Sequence, residues 1–64
     1  MAHNIMSRFK TGSVVVVSNP HTESFAYQGT IGKVVSVRNG KIIIKSENGY
    51  FSTWHENELL YLHD

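Results

Sequence analysis

The sequence predicts an all-β domain of five short strands, arranged as an open barrel with one short helical turn before the last strand. Three observations carry this expectation. Short β-branched runs recur, as in VVVV at 14–17 and III at 42–44, and such side chains suit a pleated surface. Asn-Gly occurs at 39–40 and again at 48–49, and it is the strongest short hairpin signal. Thr53 is followed three residues later by Glu56, the spacing of a capping box that opens a helical turn.

Residues 1–8 (MAHNIMSR) have no periodicity and read as a loose leader, with Ile5 and Met6 expected to cover one end of the barrel. The domain is expected over 9–64. Its first strand is 13–18 (SVVVVS), apolar on both faces, and Asn19-Pro20 stops it because proline has no N–H for a ladder. Residues 19–28 (NPHTESFAYQ) then form a long loop that carries His21, Phe25 and Tyr27. Long loops that keep aromatics invite a functional reading.

The second strand is 29–38 (GTIGKVVSVR), the third 41–46 (KIIIKS) and the fourth 50–54 (YFSTW), joined by the two Asn-Gly turns into an antiparallel meander. A turn at 55–58 (HENE) leads to the fifth strand, 59–62 (LLYL). Alternation puts Ile42 and Ile44 on one face of the third strand and Lys41, Ile43 and Lys45 on the other, which is the solvent face. Along the second strand both parities contain valine, so it is either buried on both faces in places or bulged. Gly29 and Gly32 are where a bend is cheapest. In the fourth strand Trp54 and Tyr50 are expected to lean into the core, with Phe51 nearer the surface beside the long loop. Capping accounts for Glu56, and plain solvation is expected of Glu58.

The order of strand, long loop, three-strand meander, helical turn and final strand resembles the Src-homology-3-like small barrels over residues 9–62. Within it, YQGTIGKVVSV at 27–37 is similar to the KOW motif of certain ribosomal proteins and transcription elongation factors. Gly29, Gly32, Val34 and Val37 match that motif, while Gln28 and Thr30 stand where basic residues commonly flank its first glycine. The ending YFSTWHENEL at 50–59 resembles the last strands of several barrel-type accessory subunits, which finish with an aromatic, a short turn and an acidic-apolar pair. The first resemblance implies nucleic-acid or ribonucleoprotein binding; the second implies docking on a larger protein.

Composition narrows the function classes. Six Lys and Arg against five Asp and Glu give a net charge of +1, so long-range steering toward phosphate is weak. There is no cysteine, which points to a reducing compartment, and a cytoplasmic location is the expectation. No segment approaches the roughly 20 apolar residues of a membrane span. Serines and histidines are present, yet none sits in a nucleophile motif, and His3, His21, His55 and His63 lack metal-ligand spacing. We therefore expect no enzyme activity, no metal and no cofactor.

What remains is surface recognition by His21, Phe25, Tyr27 and Phe51 together with a basic face of Lys33, Arg38, Lys41 and Lys45. The first reading is a non-enzymatic module that docks on a larger protein as accessory subunit, regulator or inhibitor. The alternative is a KOW-like binder of RNA or DNA, whose affinity would fall steeply with salt. An unprotected edge strand also admits a dimer. A chain this short suits a viral or mobile-element protein that acts on a host factor.

Overall fold

The computed structural model describes residues 9–64, apart from the side chains of Thr22 and Glu23. The expected leader, with Ile5 and Met6, lies outside the described residues. Strand β1 is Val14–Val17, β2 is Ile31–Arg38, β3 is Lys41–Ser46, β4 is Phe51–His55 and β5 is Leu59–His63. All neighbours are antiparallel and the order is β4-β3-β2-β1-β5, so the sheet curls without closing. A 3₁₀ turn at Glu56–Glu58 precedes β5, as expected, and the long loop contains a second 3₁₀ segment, Thr22–Tyr27.

The valine run of β1 suits its interior place, next to the edge strand β5. Val15 and Val17 are fully buried, while Val14 and Val16 are half-buried on the opposite face, where β1 lies between β2 and β5. With Phe9, Val34, Ile42, Ile44, Trp54 and Leu59 they form one core, against which Val37 packs. Full burial of each aliphatic side chain contributes about 1.5–3 kcal/mol. Ser13 is buried too, but its Oγ accepts from the Lys10 N–H and its carbonyl accepts from the Val34 N–H, so its polar groups are satisfied.

The two parities of valine in β2 are reconciled by a bulge at Val35. Val34 pairs with Ile44, Ser36 with Ile43 and Val37 with Ile42, which leaves Val35 as the extra residue. Val34 and Val37 therefore both face inward although they are three apart, and Lys33 and Arg38 both face outward. A second irregularity falls between Val14 and Val15, which pair with His63 and Tyr61 and leave Leu62 over.

The Asn39-Gly40 hairpin has both residues at positive φ, 51° and 79°, as a type I′ turn requires. At the second Asn-Gly only Gly49 is left-handed, at 91°. Its N–H donates to the Ser46 carbonyl at 2.9 Å and the Ser46 N–H donates to the Tyr50 carbonyl at 2.9 Å, which is a three-residue loop ending in a glycine bulge.

This geometry corrects the expectation for Tyr50, which is 72% exposed. Its row continues inward through Ser46 and Gly32, which offer no apolar side chain to bury it. Trp54 is in the core and Phe51 is exposed, as expected. The expected cap at Thr53 is also displaced. β4 continues to His55, which pairs with Lys41, so Thr53 stays in the ladder opposite Ile43 and the turn is capped two residues later.

Gly32 is buried on β2 opposite Ser46 of β3. A Cβ there would lie 3.0 Å from Ile44 Cδ1 and 3.0 Å from the Lys45 carbonyl oxygen. Gly32→Ala is expected to destabilise the fold by about 1–3 kcal/mol through overpacking. Urea unfolding checks this, and an unchanged midpoint would contradict it.

Candidate functional site

The residues singled out from the sequence fall on two different sides of the sheet. His21, Phe25 and Tyr27 belong to the loop that docks on Trp54. The Tyr27 ring meets Trp54 edge-on at 5.5 Å between centroids, and His21 lies 5.9 Å from the same indole. Phe25 is exposed. Phe51 instead occupies the opposite face of β4 from Trp54, because the β3–β4 register runs unbroken from Lys45↔Phe51 to Lys41↔His55. The expectation that Phe51 sits beside the long loop is thereby corrected to a place beside Lys45, whose ammonium lies 5.6 Å from the Phe51 ring centre.

The loop is held by a residue for which the sequence suggested only solvation. Glu58 is 6% exposed. Its Oε2 accepts from the His21 N–H at 2.8 Å and from His21 Nδ1 at 2.6 Å, while Oε1 accepts from the His55 N–H at 2.7 Å. Its backbone carbonyl takes the N–H groups of Ser18 and Asn19. Burial pushes the Glu58 carboxyl up, but these hydrogen bonds and the His21 charge together hold it below its ordinary value. An ionised carboxylate only accepts, so His21 Nδ1 carries the hydrogen, and Nε2 faces the Ser24 hydroxyl at 2.9 Å. His21 is thus a loop anchor. The sequence signal that could have found Glu58 is its place three residues after the end of β4, where a glutamate can reach back to the N-cap.

On the outer face of β2, β3 and β4 the register builds three rows. Lys33, Lys45 and Phe51 form the first, Ser36, Ile43 and Thr53 the second, and Arg38, Lys41 and His55 the third. A shallow depression is lined by Ser36, Arg38, Asn39, Lys41, Ile43 and Thr53. Among the described residues the ion pairs are Lys10–Asp64 and His21–Glu58, and neither involves the cations of these rows.

A further surface was not singled out from the sequence. Ile31 pairs with Val16 and Val16 with Leu60, so one apolar row crosses three strands on the outer face. Ile31 is 43% and Leu60 56% exposed, and Val35 and Leu62, the two bulge residues, are exposed nearby in sequence. Its signal was the double-sided valine run followed at the end of the chain by LLYL. Among the described residues no group of three His, Cys, Asp or Glu is placed to hold a metal ion, and no helix is long and apolar enough to cross a membrane.

Compared with known protein families, curated proteins and solved structures, the chain matches none.

Proposed function

We propose that this chain is a non-enzymatic docking module that seats on a larger protein as an accessory subunit or regulator. The observation that carries this reading is the apolar row Ile31–Val16–Leu60 running into β5, which ends the sheet among the described residues. Leu60, Tyr61 and Leu62 are each between 43% and 56% exposed. Sheet edges are ordinarily blunted by charge or proline, and β5 has neither before His63. An extended segment of a partner, with apolar side chains at alternate positions, fits such an edge by strand addition. We read the architecture as an SH3-like small barrel, supported by the strand order and the 3₁₀ turn before β5, and we place the protein in the cytoplasm.

The test is co-purification from extract of the protein's own cells, treated with nuclease and washed at moderate salt. A Leu60→Ser/Leu62→Ser variant serves as comparison, since exposed positions of this kind change stability by only about 0.5 kcal/mol each. A defined protein should be held by the parent chain and lost from the variant. Equal retention by both would overturn the docking face, and concentration-dependent dimerisation abolished in the variant would assign the edge to a second copy instead.

A further inference from the structure

We propose that the outer face of β2, β3 and β4 is a separate binding site for single-stranded nucleic acid, carried by two opposed cation pairs and the Phe51 ring. This goes beyond protein docking and uses different residues. Lys33 lies directly across from Lys45, and Arg38 directly across from Lys41. Like charges opposite one another destabilise a sheet. Within β2, β3 and β4 there is no Asp or Glu to relieve them, and none of the four is in an ion pair among the described residues. Apart from the Phe51 ring beside Lys45, nothing on these strands offsets an arrangement that weakens the fold, and it fits an anion supplied from outside.

The spacing suits a strand of phosphates better than one isolated anion. The two pairs stand four residues apart along β3, roughly 13 Å at the rise of a β-strand. Between them runs the Ser36–Ile43–Thr53 row, with hydroxyls at both ends and a half-buried isoleucine at the centre. Phe51 closes the first row and is 63% exposed, while the His55 ring closes the third. An aromatic on an open sheet face can meet the flat side of a base only when that base is unstacked, as in a single strand. The net charge of +1 limits steering from a distance, and Glu47, which shares a surface hollow with Lys33 and Lys45, weakens the local field at that end, while the three strands themselves carry no acid.

The experiment is fluorescence anisotropy with labelled oligo-dT and oligo-U of about ten nucleotides, within the usual range of site sizes, and a duplex of the same length. Single strands should bind more tightly than the duplex, and the slope of log K on log salt should approach roughly −3 if all four cations meet phosphate. Lys41→Ala/Lys45→Ala should reduce that slope by about half. Its thermal midpoint should be unchanged or higher, because like-charge opposition is relieved. Phe51→Ala should lose roughly fivefold to hundredfold in affinity with little change in slope. Leu60→Ser should bind as the parent chain does, which separates failure here from failure of the docking reading. Preference of oligo-U over oligo-dT would assign RNA as the source, and the reverse DNA. Absence of salt-dependent binding, equal binding of the duplex, or indifference to both variants would overturn the proposal.

Discussion

Trp54→Ala is expected to leave the domain largely unfolded at 37 °C. Trp54 is 3% exposed, sits across from Ile42, and donates its indole N–H to Ser52 Oγ at 2.8 Å. It is also the surface on which Tyr27 and His21 rest, so its loss opens the sheet core and releases the loop together. Truncating a buried tryptophan costs about 3–5 kcal/mol. At 0.05–0.15 kcal/mol per residue, the whole stability of a chain of 64 residues is about 3–10 kcal/mol. A substitution of that size consumes most or all of it. Trp54 is the single tryptophan, so far-ultraviolet dichroism rather than its own fluorescence should follow the melt. Trp54→Phe should retain the fold at a cost of about 1–2 kcal/mol, since it keeps apolar bulk and forfeits the hydrogen bond to Ser52. A midpoint for Trp54→Ala within a few degrees of the parent would contradict the burial described.

The second large effect is expected at Glu58. Its carboxylate gathers two backbone N–H groups and the His21 ring at a site 8% exposed by side chain, and each hydrogen bond to a charged group contributes about 1.5–3 kcal/mol. Glu58→Ala should cost about 3 kcal/mol and raise amide exchange at His21 and through the following 3₁₀ segment. Acid provides an independent check. A carboxyl whose pKa falls on folding stabilises the folded state fully once the unfolded chain is deprotonated, above about pH 4.3, and loses that stabilisation as pH drops through the lower folded value. The parent chain should therefore weaken on acidification through that window, and Glu58→Gln should remove this part of the dependence. If parent and variant lose stability in parallel, the carboxylate does not hold the loop.

Much of the fold was legible because it depends on near neighbours in the chain. Alternation in KIIIKS placed Ile42 and Ile44 inside and Lys41 and Lys45 outside, and Asn39-Gly40 fixed the first hairpin, since few residues accept positive φ at both positions. Valines on both parities of β2 admit either burial on both faces or a bulge, and the irregularity falls at Val35 rather than at Gly29 or Gly32, where a bend was expected to be cheapest. The candidate site was less legible. The sequence offers two neighbouring features, the aromatic loop and the basic face, and the structure sets the loop on the Trp54 side and the cations on the outer face of the meander, with Phe51 joining the cations rather than the loop.

By itself the sequence determined the strands, the core-facing residues of β3 and the cations of the outer face, because side-chain alternation and turn chemistry act over a few residues. Tertiary structure alone decided which residues meet across strands and where the loop comes to rest. The pairing of Lys33 with Lys45, the row from Ile31 through Val16 to Leu60, and the reach of Glu58 to His21 thirty-seven positions away each depend on register and docking between distant segments. Local periodicity carries no information about either. One bulge residue shifts every later partner, and a buried glutamate differs from a solvated one only by what folds over it.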